Sequence, residues 1–255
     1  VISKIGSNLN YSDLLNACNI SRKIMQGLLQ KVEIGATPIE LNHIASELCK
    51  KYNCEPAFFG VKGLINSFPG NVCISVNNEV LHTIPFSTRK FQSGDIVKVD
   101  FGIKFMGVFT DHCVTKIVDT PAHRDHKRLV DTSKLCVEKG IENAVVGKTV
   151  GDISFALQSV AELAGFNYVT NYCSHGIGKY LHMEPEILSY GKPNTGLKLE
   201  EGMVFTIENQ ITLGSAELNL DKDGWTLRSV DGSFAAMTEH MVIVRKGKAE
   251  VLTRL

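Results

Sequence analysis

The 255-residue sequence predicts a mixed α/β (α+β) fold in which one helix–helix–strand unit occurs twice about a pseudo-twofold axis. Three observations carry this reading. A shift of 112 residues aligns Gly35 with Gly147, Thr37 with Thr149, and Leu41 with Ile153. Gly94 to Asp100 matches Gly202 to Glu208, each a glycine, a β-rich run and a carboxylate six residues on. Asp111-His112-Cys113-Val114 is echoed by Glu239-His240-Met241-Val242. A repeat of about 110 residues is a fold-level signal. It divides residues 1–255, expected to be a single domain, into halves of roughly 1–120 and 121–255.

The elements follow in order. From Ser12 to Lys31, Leu14, Leu15, Cys18, Ile24, Met25, Leu28 and Leu29 recur at helical spacing. After Gly35, Thr37-Pro38-Ile39-Glu40 reads as a capping box with proline at the first helical position. It opens a second helix to about Lys51, with Leu41, Ile44, Ala45 and Leu48 inward. Residues 53–70 read as loop and turn. The runs Val72–Val76, Ile96–Phe101 and Val108–Val118 read as strands, with the turn His82-Thr83-Ile84-Pro85 between the first two. The second half begins with a helix from about Arg124 to Ala144, whose His123–Arg128 cluster reads as a solvated face. Thr149-Val150-Gly151-Asp152 then caps another helix, with Ile153, Ala156, Leu157 and Val160 inward.

Composition excludes several classes. Lys+Arg and Asp+Glu both number 27, and no basic stripe suggests nucleic acid. No apolar run approaches the roughly 18 residues of a membrane span, and the N-terminus lacks a signal-peptide layout. Seven scattered cysteines without a C-x-x-C favour free thiols, so a reducing, cytoplasmic setting is expected.

The chemistry sits on the repeat. An acid on an apolar strand usually faces solvent, but Asp100 with Glu208, and Asp111 with Glu239, are two pairs placed equivalently in duplicated units. Buried together they would repel, so they call for cations, and two divalent ions balance four carboxylates. Between Cys173 and Pro185 the chain reads C-S-H-G-I-G-K-Y-L-H-M-E-P, with His175 and His182 seven apart and Gly176 and Gly178 beside the first. Glycine beside a polar side chain marks close approach or positive φ. One imidazole with oxygen ligands favours Mn, Fe, Co or Zn, and His175 is the natural fifth ligand.

With these residues in hand, the chain resembles the type I methionine aminopeptidases of the pita-bread metallopeptidases, family M24, along essentially its whole length. The motifs arrive in family order. They are His82 in H-T-I-P, Asp100 in V-D-F-G, Asp111 in T-D-H-C, His175 in H-G-I-G, His182 in L-H-M-E-P, Glu208 in T-I-E-N and Glu239 in T-E-H. The resemblance implies a central antiparallel sheet. It implies two divalent ions (Co, Mn, Fe or Zn) on Asp100, Asp111, His175, Glu208 and Glu239, with Asp111 and Glu239 bridging. It makes Glu208 the proton acceptor for the attacking water, His182 the oxyanion partner, and His82 the residue that holds the scissile amide. Phe68, Cys73, Leu181 and Trp225 would line the methionine pocket. The implied substrate is the N-terminus of a peptide or nascent protein with a small second residue, with transient contact to the ribosome. A monomer with no nucleic-acid or membrane partner is expected.

The sequence departs from the family pattern at Asn209, where a proline is expected to shape the strand end. Phe68 stands for a tyrosine and Leu181 for a phenylalanine, which predicts a less aromatic pocket wall. Residues 57–67 match poorly. An Xaa-Pro aminopeptidase or prolidase shares the fold and the five ligands, but such chains usually carry an extra N-terminal domain. A metal-free binding protein on the same fold would have lost ligands. His43, His112, His123, His126 and His240 read as surface or structural, with His112 and His240 as candidates to support the neighbouring ligands.

Overall fold

The computed structural model describes residues 1–255. Its helices are α1 (Tyr11–Gln30), α2 (Pro38–Lys51), α3 (Arg124–Asn143) and α4 (Val150–Leu163). The duplication extends to individual bonds at the starts of α2 and α4. In each, the threonine N–H donates to the carboxylate three residues on at 2.8 Å, and its hydroxyl donates to the same oxygen at 2.9 Å. The acid's own N–H returns to the hydroxyl at 3.4 Å. Gly35 and Gly147, at φ +91° and +93°, turn the chain into these caps. Such a cap is worth about 1 kcal/mol.

Fifteen strands run in order: β1 (Glu55–Pro56), β2 (Cys73–Val76), β3 (Glu79–Leu81), β4 (Ile96–Phe101), β5 (Ile103–Phe105), β6 (Val108–Phe109), β7 (His112–Ile117), β8 (Asn167–Tyr168), β9 (Ser174–Gly176), β10 (Met183–Ile187), β11 (Val204–Thr212), β12 (Leu218–Leu220), β13 (Leu227–Ser229), β14 (Ala235–Ile243) and β15 (Glu250–Val251). Nine form one sheet in the order β10-β9-β11-β14-β7-β4-β2, with β15 on β14 and β8 on β11. Its pairings are antiparallel. Two three-stranded sheets, β1-β5-β6 and β12-β13-β3, flank it.

Strand alternation assigns the two faces. On β4, Val97, Val99 and Phe101 pack with Ile24 and Leu28 of α1 and Leu41 and Ala45 of α2. On β11, Phe205, Ile207 and Ile211 pack with Leu129 and Ile141 of α3 and Leu157 of α4. Each such side chain contributes roughly 1.5–3 kcal/mol on full burial. Both helix pairs therefore cover one face of the sheet and leave the other to the polar residues between.

Two boundaries differ from the sequence expectation. The run Val108–Val118 divides at Thr110 and Asp111, because the chain there leaves the small sheet for the large one. Thr110 is fully buried, its N–H donating to the Ile103 carbonyl and its hydroxyl to Ser21. Residues 53–70, read as loop, include β1, whose Glu55 and Pro56 pair with Lys104 and Ile103.

Candidate metal centre and substrate cavity

The sheet register places the acids in one row. Cys73 pairs with Asp100, Asp100 with Cys113, Cys113 with Glu239, and Glu239 with Glu208. Paired residues in antiparallel strands share a face, so Asp100, Glu239 and Glu208 project together from the face the helices leave free. Asp111 joins them from the step before β7. His175 comes from β9, where its N–H donates to Thr206 Oγ1 at 3.1 Å. Ligand atoms of Asp111, His175 and Glu239 lie within 4.8 Å of one another. His175 Nδ1 is 3.0 Å from the Gly176 carbonyl, and Nε2 faces Glu208 Oε1 at 4.0 Å. A ring proton on Nδ1 leaves the Nε2 lone pair directed at the acids. Gly176 serves a close approach, since a Cβ there would lie 2.0 Å from the Glu184 carbonyl oxygen.

The electrostatics of this cluster demand cations. Burial pushes Asp100 up to about 7 and Glu208 up to about 8. Asp111 and Glu239 are also raised well above the usual carboxylate range, first by burial and then by neighbouring carboxylates. Burial, with His182 beside it, pulls His175 down to about 3, so the ring is neutral. Asp100 Oδ1 and Asp111 Oδ1 are buried without a hydrogen-bond partner. Acceptor-only oxygens converging on a neutral imidazole fit a hard or borderline divalent ion.

A cavity of about 630 Å³ opens onto this row. The sequence-derived residues Asp100, Asp111, His175, Glu208, Glu239, His82, His182, Phe68, Cys73, Leu181 and Trp225 all line it. His82 follows β3 at φ +57°, its ring edge-on to Tyr172 at 5.2 Å. His182 precedes β10, its ring 4.5 Å from that of His175. The apolar end is more aromatic than expected, because Phe58, from the poorly matching stretch, extends the wall. Its ring lies 6.5 Å from that of Phe68, which lies 5.1 Å from Trp225, both edge-on.

Other side chains take roles that the sequence alone does not assign. Asn209 lies in the middle of β11, paired with Thr238, and shapes no strand end. Its amide donates to the Ser133 carbonyl of α3 at 2.6 Å, and the Ser133 hydroxyl donates to Asn209 Oδ1 at 2.7 Å. Thr238 Oγ1 is 2.8 Å from the same hydroxyl, so α3 is bolted to both acid-bearing strands. Lys98, fully buried on the free face, donates to the carbonyls of Asn77 at 2.8 Å and Ala235 at 3.1 Å. It ties the β2–β3 turn to the start of β14, and burial pulls its pKa to about 7. Gln210 Nε2 lies 2.6 Å from Glu208 Oε2. The signal for Gln210 was its even spacing from Glu208; for Lys98, its even spacing from Asp100. His112 and His240, by contrast, fall at odd spacing and face away from the acids. They contact Ser21 Oγ at 3.0 Å and Thr253 Oγ1 at 3.2 Å respectively.

The chain belongs to metallopeptidase family M24, whose model matches residues 12–246, and it has the pita-bread fold. It is 34% identical over 253 residues to the methionine aminopeptidase of Clostridium acetobutylicum, covering 99% of this chain and 98% of that one. The crystal structure of methionine aminopeptidase from Rickettsia prowazekii superposes with a TM-score of 0.93 at 33% identity, with both chains covered completely. Prolidase from Pyrococcus furiosus shares the fold at a TM-score of 0.78 and 20% identity, with 66% of that chain covered.

Proposed function

We propose that the chain is a single catalytic domain that removes methionine from the N-terminus of peptides and nascent proteins when the next residue is small. The observation that carries this is the union of one acid-lined cavity with full-length similarity to methionine aminopeptidases. Asp100, Asp111, His175, Glu208 and Glu239 would hold two divalent ions. Co, Mn, Fe and Zn all suit the donor set. Ions held there would supply an acidified water, a Lewis acid for the scissile carbonyl and a seat for a free α-amino group.

The chain's own groups do the rest. Glu208 accepts the proton of the attacking water. His182, on the open side of the cavity, donates to the oxyanion that develops on the scissile carbonyl. His82, held neutral, orients the scissile amide as its nitrogen becomes basic. Phe68, Cys73, Leu181 and Trp225 receive the methionine side chain, whose unbranched thioether suits an apolar, aromatic wall. Seven cysteines, all free, suit a cytoplasmic setting, where a nascent chain would bring the protein transiently to the ribosome. We take the working form to be a monomer.

Comparing Met-Ala-Ser with Ala-Pro-Gly tests the substrate assignment. Methionine is expected to be released faster, and N-formylation is expected to block release because a formamide nitrogen does not coordinate as an amine. Faster release of alanine would move the protein to the Xaa-Pro class.

A further inference from the structure

Glu208 is anchored at three points. Its N–H donates to Ser174 Oγ at 2.9 Å, and its carbonyl accepts from the Tyr168 hydroxyl at 3.3 Å. Those two bonds fix the backbone. The third fixes the carboxylate itself, through the 2.6 Å bond from Gln210 Nε2 to Oε2. With the carboxylate ionised, as a metal ligand is, only the amide nitrogen can face that oxygen, since the reverse orientation would set two acceptors against each other.

Gln210 has a poor rationale as a packing residue. It is fully buried, yet its Oε1 finds no protein partner. A buried amide satisfied on one side only is worse for the fold than an apolar side chain of the same length. Its cross-strand partner, Met237, is such a side chain and lines the cavity. What the amide does achieve is local. With Oε2 held, the carboxylate cannot rotate, and Oε1 is the oxygen left facing His175 Nε2 at 4.0 Å.

We propose that Gln210 is a positioning residue that locks the Glu208 carboxylate so that Oε1 alone is presented to the metal centre. This rests on the reading of Glu208 as a ligand. An outer partner of this kind sets the direction of a ligand's lone pair, and its loss typically costs about 10–100-fold in metal affinity or activity.

The test uses Gln210→Met, which keeps the length and removes the donor, with Gln210→Leu as a second apolar probe and Glu208→Gln as a reference. Metal binding to the stripped full-length protein is measured by calorimetry, beside steady-state kinetics and thermal unfolding. Affinity for Mn²⁺ or Co²⁺ is expected to fall about 10–100-fold. The kcat should fall about tenfold while KM moves less than threefold, because the lock acts on the reacting water more than on methionine binding. The Tm should hold or rise, since an unsatisfied buried oxygen has been removed. Metal affinity and kcat within twofold of the parent overturn the proposal. So does a Tm that falls in step with activity, which would assign the amide a structural role. If Glu208→Gln itself binds metal normally, the ligand reading fails first, and the two failures are thereby distinguished.

Discussion

Replacing His82 with alanine is expected to slow turnover while leaving the metals and the fold in place. His82 stands apart from the acids. Its ring is held by edge-on packing at 5.2 Å from Tyr172 and 6.4 Å from Trp225. Burial, reinforced by His182, pulls its pKa to about 4. At neutral pH the ring therefore offers one N–H and no charge. Losing one oriented donor of this kind costs on the order of 10²–10³ in kcat, or about 2.7–4 kcal/mol of transition-state stabilisation. KM should change less than threefold, roughly, because the bond matters most as the amide nitrogen gains basicity. At φ +57°, alanine is less tolerated than histidine or asparagine and adds about 1 kcal/mol of backbone strain. His82→Asn, which suits that φ and keeps an N–H donor, is the companion variant and should lose less activity. Because the folded pKa is depressed, the ring gains its proton only near pH 4 and below. The kcat/KM profile of His82→Asn between pH 5 and 9 should thus keep the parent's shape. Steady-state cleavage of Met-Ala-Ser beside calorimetric metal titration reads both halves. Unchanged kcat, or one metal fewer in His82→Ala, would refute the reasoning.

Three other outcomes follow from the same geometry. Asp100 and Glu208 have folded pKa values raised to about 7 and about 8, so folding of the metal-free protein takes up protons on them. That stability is complete below the unfolded carboxylate range and is lost as pH rises through the folded values. Between pH 6.5 and 8, where unfolded histidines no longer compete for protons, the metal-free Tm should fall, at about 1.4 kcal/mol per pH unit for each proton retained. A divalent ion should reverse the trend, and a metal-free Tm that rises over this range would contradict the account. Ser133→Ala leaves Asn209 Oδ1 and Thr238 Oγ1 without their hydroxyl partner and should cost about 1–3 kcal/mol in urea unfolding. A loss within experimental error would show that the bolt between α3 and the acid-bearing strands is dispensable. Asp111→Ala or Glu239→Ala should impair uptake of both ions in metal analysis, whereas clean loss of one equivalent would deny the bridging role.

The parts legible in the sequence were those with local chemistry or a symmetry mate. The capping threonines Thr37 and Thr149 signal helix starts in four residues each, and the helices begin beside them. The acids emerged because duplication set Asp100 against Glu208 and Asp111 against Glu239, and the sheet register puts three of these four in one row. What stayed hidden depends on register and on long-range approach. The bond from Gln210 to Glu208 joins neighbours on one strand face, but nothing local says that this face is dry. Asn209 reads as a departure from a motif until Ser133, 76 residues away in sequence, is brought against it. The strand β3 is three residues long and is defined by its partner β13, far along the chain. Phe58 joins the pocket wall through packing that sets its ring beside Phe68. Patterns of period 2 or 3.6 carry no information on such meetings.

A metal titration of activity tests most directly whether the acid row works as a metal centre for methionine release. The protein is stripped with a chelator, and methionine release from Met-Ala-Ser is followed as Mn²⁺ or Co²⁺ is added back beside calorimetric counting of bound ions. Negligible release from the stripped protein, recovery with added metal, and saturation of binding at two ions per chain are expected. Full release of methionine by the exhaustively stripped protein would contradict this.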